Sequence, residues 1–201
     1  MDVKAHYKAL FSEHGNSAKA VQWGDDASQH SRFEILAQVA PKLGSVVDVG
    51  CGLGHLYEHL RAREPDLRYT GLDFVPEFID AARATFHETN AEFQVFDVFN
   101  DPMPKGSDFA LLSGVFNNLM DDNWGFMTHA LRAMFDAAER GIAFNAMSTY
   151  VDYRDPGLYY VDPCAVFDFC KHNLSKKVTL RHDYSLSEGG FPFEFAVYCY
   201  K

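Results

Sequence analysis

The sequence lacks the features that a membrane-inserted or exported protein needs. No apolar run approaches the roughly 18 residues that a membrane span requires. Residues 1–8 do not combine the basic segment and the apolar segment that mark a secretory leader. We therefore expect a cytoplasmic protein without a membrane partner.

Cysteine and basic residues are also scarce, and each shortage argues against a class of function. Cys51, Cys164, Cys170 and Cys199 form no C-x-x-C pair, which argues against a zinc site or a thioredoxin-like centre. Lys and Arg number 18 against 28 Asp and Glu, for a net charge of −10. Because a phosphate backbone repels such a chain, we expect a small-molecule substrate rather than nucleic acid.

Residues 46–54 read Val-Val-Asp-Val-Gly-Cys-Gly-Leu-Gly, and apolar residues at helix spacing follow them. This pattern predicts a strand, a tight turn and a helix, with a turn at which a ligand can approach the backbone. The spacing G-x-G-x-G differs from the G-x-G-x-x-G of dinucleotide-binding proteins. Asp48 lies inside the predicted strand, where a buried charge is costly unless it is paired or functional.

Two further strands are predicted to end in carboxylates. Tyr69-Thr-Gly-Leu-Asp73 lies about 20 residues past the glycines, where a βαβ unit places the residue that binds a ribose. Phe93-Gln-Val-Phe-Asp97 gives the third strand. The segment from Asp48 to Gly54 resembles motif I of the class I S-adenosylmethionine (SAM)-dependent methyltransferases. With the two later acidic strand ends, the resemblance covers roughly residues 45–147.

The resemblance implies a doubly wound α/β/α fold in three layers. Its seven strands would run in the order 3-2-1-4-5-7-6, with strand 7 antiparallel, and alternating runs over residues 177–184 and 191–200 fit the terminal hairpin. We expect a single methyltransferase domain over residues 1–201. Its segments would be an N-terminal helical cap (1–43), a SAM-binding core (44–147), a lid or substrate insertion (148–175) and a β-hairpin (176–201).

SAM is the cofactor that the resemblance implies. Asp73 would bind the ribose hydroxyls, Phe74 would cover the adenine, and Asp97 with Val98 would hold the adenine edge. Arg32, on a predicted helix, could bind the methionine carboxylate bidentately. The complete expected cofactor set is Asp48, Gly50, Cys51, Gly52, Gly54, Asp73, Phe74, Asp97, Val98, Ser113, Gly114, Arg32 and Trp23.

The methyl acceptor is expected near residues 113–118, because ligands of open parallel sheets bind outside the carboxyl ends of the strands. Candidate acceptor contacts are Tyr7, Asn117, Asn118, Tyr150 and Tyr153. The last two belong to a tyrosine-rich segment that looks like a lid. No catalytic base can be named from spacing alone.

Several motifs are missing after the fourth predicted strand, where Ser-Gly-Val-Phe-Asn-Asn stands. It contains neither the Asn/Asp-Pro-Pro-Tyr of amino-adenine methyltransferases nor the Pro-Cys of cytosine C5 enzymes. Asp121 and Asp122 are neighbours at a predicted helix start, which favours N-capping over a metal site. We predict O- or N-methylation of a small molecule without a metal. The alternatives are a non-catalytic SAM-binding protein and, less favoured, an NAD(P)-dependent oxidoreductase.

Overall fold

A computed structural model describes residues 3–15, 26–87, 89–187 and 189–201. Trp23, one of the expected cofactor contacts, lies outside these ranges. None of the helices within them is both long enough and apolar enough to cross a membrane.

One sheet of seven strands forms the centre of the molecule. Its spatial order is β3-β2-β1-β4-β5-β7-β6, and β7 runs antiparallel to both of its neighbours while the other pairs are parallel. This confirms the predicted fold. The strands are β1 (Ser45–Val49), β2 (Arg68–Asp73), β3 (Ala91–Val95), β4 (Phe109–Leu112), β5 (Gly141–Met147), β6 (Lys177–Arg181) and β7 (Glu194–Tyr200).

Helices cover both faces of this sheet. They are α1 (Val3–His14), α2 (Asp26–Ala37), α3 (His55–Arg63), α4 (Pro76–Thr85), α5 (Asn123–Ala137) and α6 (Pro163–Asn173). Helices α2, α3 and α4 pack on one face, and α5 and α6 pack on the other. Strand β1 is buried along its whole length, as expected of an interior parallel strand that is covered on both sides.

The first helix is anchored on α4. The rings of Phe11 and Phe78 meet edge to face at 5.6 Å, and Lys8 forms a 2.7 Å ion pair with Glu77. This docking brings α1 to the carboxyl end of the sheet, where ligands of open α/β folds bind. At the start of α5, the Asp122 carboxylate accepts a hydrogen bond from the Gly125 N–H, which confirms the predicted N-cap.

The tyrosine-rich segment after β5 lies along the loop that follows β4. The N–H of Tyr159 donates to the carbonyl of Asn117 at 2.8 Å, and that of Leu119 donates to Gly157 at 3.1 Å. A bridge between Ser148 and Val161 closes the segment. Its role as a lid stays a prediction.

We expect Gly141→Ala to destabilise the sheet. A Cβ at this position would lie 2.3 Å from the Cys199 carbonyl oxygen and 3.2 Å from the Tyr200 Cα, both in the backbone of β7. Because neither atom can turn away, β5 and β7 must separate, at about 1–3 kcal/mol. The melting temperature should fall by several degrees. Gly157→Ala is the control, since its nearest neighbour is a side-chain oxygen at 3.3 Å; equal melting of the two variants would contradict this account.

Candidate active site

A cavity of about 280 Å³ opens at the carboxyl ends of the parallel strands β1 to β4. It gathers most of the residues that the sequence singled out. The expected residues that line it are Asp48, Gly50, Cys51, Gly52, Asp73, Phe74, Asp97, Val98, Ser113, Gly114, Tyr7 and Asn118. The expected residues that do not line it are Gly54, Arg32, Asn117, Tyr150 and Tyr153.

The turn between β1 and α3 (residues 50–54, the glycine turn) is held by the end of β2. The N–H groups of Gly50 and Cys51 both donate to the carbonyl of Leu72, at 2.7 and 3.0 Å. The N–H of Gly52 donates to the Asp73 carboxylate at 2.9 Å. Three consecutive amides of the turn are therefore bound within the protein itself.

Two of the turn's glycines are required by packing inside the protein. Gly50 has φ +78°, and a Cβ there would lie 2.2 Å from a methyl carbon of Val115. Gly54 has φ +84°, and its Cβ would lie 2.7 Å from the ring of Phe86. The sequence analysis attributed the glycines to ligand approach. At these two positions the structure gives a second reason, close contact with other parts of the chain.

Asp73 joins the turns that follow β1 and β2. One oxygen accepts from the Gly52 N–H, and the other accepts from the Val75 N–H at 2.9 Å. Each carboxylate oxygen still has a free lone pair with which to bind a ligand hydroxyl. Burial raises the pKa of Asp73 to about 6, although these backbone donors oppose the rise.

Asp48 is the least satisfied carboxylate of the site. It is 2% exposed, and one oxygen accepts a hydrogen bond from the Tyr69 hydroxyl. Its other oxygen, Oδ1, has no hydrogen-bond partner in the part of the chain that the structure describes. Burial raises the pKa of Asp48 to about 7, and the nearby charge of Asp73 adds to the rise. We expected Asp48 to bind either the glycine-turn amides or a cofactor ammonium; Asp73 takes the Gly52 amide instead.

The carboxylate of Asp97 holds together the loop that follows β3. Asp97 accepts hydrogen bonds from the Phe99 N–H at 2.9 Å and from the side-chain amide of Asn100 at 2.7 Å. The carbonyl of Val98 accepts from the His129 ring at 3.1 Å. These bonds hold Asp97 and Val98 in the lining of the cavity, and their contact with an adenine stays a prediction.

The loop after β4 carries another unsatisfied group. The Ser113 hydroxyl is buried and has no hydrogen-bond partner among the described residues. Gly114 has φ +72°, and its N–H donates to the side-chain oxygen of Asn145 at 2.8 Å. The amide nitrogen of Asn145 donates in turn to Glu194 at 2.9 Å.

Arg32 lies elsewhere than expected. Its Nε donates to Glu194 at 2.8 Å, and both side chains are buried. A carboxylate that is 1% exposed requires a countercharge, and Arg32 supplies it. The guanidinium therefore binds a carboxylate of the protein rather than lining the cavity. Burial keeps the pKa of Glu194 above its usual range even with Arg32 beside it.

Tyr7 reaches the cavity from α1. Its hydroxyl accepts a hydrogen bond from the Asn118 amide at 2.9 Å, and its ring meets Phe78 edge to face at 5.9 Å. Burial raises the pKa of Tyr7 to about 12. Neighbouring Asn117 lies away from the cavity, with a buried side-chain oxygen that lacks a partner in the described residues.

The tyrosines of the 148–175 segment do not take part in the cavity. Tyr150 and Tyr153 are 63% and 75% exposed. The abundance of tyrosines in this segment suggested aromatic contacts with a substrate. The backbone hydrogen bonds that hold the segment are made by other residues, and both of these rings are exposed.

Sequence reasoning missed His55, Asn145 and Glu194. His55 follows the glycine turn directly and lines the cavity, where its ring lies 3.4 Å from the Gln29 amide. Asn145 and Glu194 are polar residues inside the apolar runs of β5 and β7. A polar residue inside an apolar run is also the signal that drew attention to Asp48.

Known sequences include relatives of this chain. A family model described as a methyltransferase domain matches residues 46–139. Rv1506c of Mycobacterium tuberculosis, which is named a candidate methyltransferase, is 40% identical over 152 residues. That alignment covers 72% of this chain and 89% of the relative.

Solved structures share the fold. The SAM-dependent methyltransferase SibL superposes with a TM-score of 0.71 at 20% identity, over 97% of this chain and 61% of its own. This chain thus spans about three fifths of the length of SibL. The magnesium protoporphyrin IX methyltransferase of Synechocystis PCC 6803, solved with bound SAM, gives 0.68 at 14% identity and covers 100% of this chain and 98% of its own. The chain belongs to the class I family of methyltransferases, which use S-adenosylmethionine as their cofactor.

Proposed function

We propose that this chain binds SAM in the cavity and transfers its methyl group to an oxygen or nitrogen of a small molecule. The observation that carries the proposal is the unpartnered Oδ1 of Asp48, buried beside the glycine turn. An unsatisfied carboxylate oxygen in a protein interior is expensive. A cationic ligand in the cavity would stabilise the charge of this carboxylate, and SAM carries both a sulfonium and an ammonium group.

The neighbouring residues fit the rest of such a ligand. Asp73 retains lone pairs for two hydroxyl groups, which matches a ribose. Phe74 and Phe96 offer apolar walls for a planar ring. Asp97 and Val98 stand beside them with polar groups at the cavity edge.

Charge in the cavity favours a neutral or cationic acceptor. Asp48, Asp73 and Asp97 line it, whereas no Lys or Arg does so among the residues that the structure describes. No basic side chain of this described lining is therefore available to bind an anionic acceptor. Phe99, Met120 and Phe126 add apolar surface on the side of β4, which supports an acceptor with an apolar body.

The chemistry requires little of the protein beyond orientation. When bound, SAM supplies a methyl group on a sulfonium, an electrophile that a correctly placed nucleophile can attack in line. Alignment and exclusion of water can supply much of the rate. Tyr7 and Asn118 help by closing the cavity between α1 and the loop after β4. His55, which lines the cavity, is the residue we would test first as a proton acceptor.

A titration of the purified protein with SAM, S-adenosylhomocysteine (SAH) and NADH tests the cofactor. A ligand that binds only the folded state raises stability by RT ln(1 + [L]/Kd), about 2.7 kcal/mol at 100 Kd. We expect the two adenosyl ligands to raise the melting temperature and NADH to leave it unchanged. A response to NADH alone would overturn the assignment. Methyl transfer from labelled SAM to neutral and cationic small molecules then tests catalysis.

Asp48→Asn should weaken SAM binding and reduce its dependence on pH near neutrality. The pKa of Asp48 in the free protein is about 7, and a bound cation lowers it because the cation favours the ionised form. SAM affinity of the wild type should therefore rise as the pH increases from about 5 to about 8. In Asp48→Asn the affinity should be lower. Its remaining rise with pH should lie in the lower range in which Asp73 ionises, with a pKa of about 6. Calorimetry at each pH measures both.

The same variant should have the opposite effect on the free protein. Because the folded-state pKa of Asp48 is raised from 3.8, ionisation destabilises the fold progressively from about pH 4 to about pH 7. Asp48→Asn should melt higher than the wild type at pH 8, with the difference disappearing near pH 4. Asp168→Asn, at a side chain that is 73% exposed, controls for the lost charge. Equal effects of the two substitutions on SAM affinity would refute a local role for Asp48.

Asp73→Ala should lower SAM affinity by about 2–3 kcal/mol, because charge-assisted contacts to two hydroxyls are lost. It should also lower the melting temperature, since the N–H groups of Gly52 and Val75 lose their acceptor. Affinity is therefore measured by calorimetry well below the melting transition. Unchanged affinity in a folded Asp73→Ala protein would contradict the ribose assignment.

A further inference from the structure

Asn145 and Glu194 lie on the sheet face that α2 covers. In β5 and β7 they alternate with residues of the opposite face, and they share the side of Ala143 and Ala196, which belong to the core beneath α2 and α3. Both are 1% exposed. The proposed cofactor and acceptor contacts do not include them.

A continuous chain of hydrogen bonds runs through these two residues. Arg32 donates to one oxygen of Glu194 at 2.8 Å, and Asn145 donates to the other at 2.9 Å. The side-chain oxygen of Asn145 then accepts the Gly114 N–H at 2.8 Å. Tyr184 also donates to Glu194, at 3.3 Å. Because a carboxylate only accepts, it fixes which end of the Asn145 amide faces Gly114.

Gly114 in turn sets the position of Val115. Gly114 has φ +72° and precedes the short 3₁₀ helix Val115–Asn117. The Val115 side chain occupies the space beside Gly50, where a Cβ would come within 2.2 Å of it. A shift of Gly114 would therefore change the contact between the loop after β4 and the glycine turn.

Stability alone does not account for this arrangement. A buried ion pair is weak grounds for stability, because the cost of desolvation offsets much of the attraction. A buried amide oriented by a carboxylate does, however, restrict a loop to one geometry, since any other geometry leaves groups unsatisfied.

We propose that Asn145, oriented by Glu194 and Arg32, is a positioning residue that holds Gly114 and, through Val115, the glycine turn in the geometry that binds the cofactor. The part concerning the cofactor rests on the proposed function. The part concerning Gly114 does not, and can be tested without any ligand.

The first experiment measures exchange of the Gly114 amide hydrogen by NMR in the wild type and in Asn145→Ala. We expect exchange at Gly114 to accelerate at least about tenfold beyond the change at amides of the sheet core, because its buried acceptor is lost. Ser45→Ala is the matched control. It removes a buried hydroxyl that bonds Asp108 at the opposite end of β1, so it should lower stability without a local change at Gly114.

The second experiment is a pH profile of SAH binding in Asn145→Asp. The new carboxyl can still accept from Gly114, but it can donate to Glu194 only while protonated. The SAH affinity of Asn145→Asp, relative to that of the wild type, should therefore be near normal at low pH. It should fall about tenfold as the pH rises and the proton between this carboxyl and Glu194 is lost. Asn145→Ala should bind SAH weakly at every pH. A purely structural role would lower the melting temperature without this profile.

The outcomes separate the two proposals. Failure of the wild type to bind SAM or SAH would refute the proposed function, while the exchange measurement would still test the contact with Gly114. Exchange at Gly114 that matches the Ser45→Ala control, or SAH affinity that is unchanged in both Asn145 variants, would overturn the positioning role. If Asn145→Ala does not fold, Asn145→Leu, which keeps a similar volume and has no acceptor, is measured in its place.

Discussion

The site depends on the hydrogen bonds that tie the end of β2 to the turn after β1. Asp73 accepts from Gly52 on one side and Val75 on the other, and the carbonyl of Leu72 accepts from Gly50 and Cys51. These bonds satisfy buried N–H groups that have no partner in the sheet. They also connect the two turns, so that neither turn can move without the other. Any ligand group that binds Asp73 therefore meets a carboxylate whose position is already fixed, and little ordering is required on binding.

Three buried carboxylates differ in how many hydrogen bonds they accept from the protein itself. Glu194 has a guanidinium, an amide and a hydroxyl around it, and Asp73 has two backbone donors. Asp48 has a single hydroxyl donor, from Tyr69, and one oxygen without a partner in the described residues. Burial raises the pKa of all three. Because a protein tolerates an unsatisfied buried oxygen only at some cost, the least satisfied carboxylate is where a ligand would gain most.

The positions of the strands were predictable from the sequence because their signals are local, and the resemblance to class I methyltransferases supplied their order in the sheet. Strand β1 over Ser45–Val49 and strand β5 over Gly141–Met147 agree with the runs of apolar residues, and the glycines between strand and helix have positive φ. The partner of Arg32 was not predictable in this way, since Glu194 lies 162 residues further along the chain. The exposure of Tyr150 could not be predicted either, because the hydrogen bonds that orient its segment are made with the loop after β4.

One physical rule would have extended the sequence analysis. The cost of burying a polar group directed attention to Asp48, and it applies equally to Asn145 within Ile-Ala-Phe-Asn-Ala-Met and to Glu194 between two phenylalanines. Strand parity then places both on the face of the sheet that carries Asp48. Polar residues inside buried strands are therefore informative even when they touch no ligand, because they must be satisfied by one another. In this protein that requirement links α2, β7 and β5 to the loop after β4, which borders the cavity.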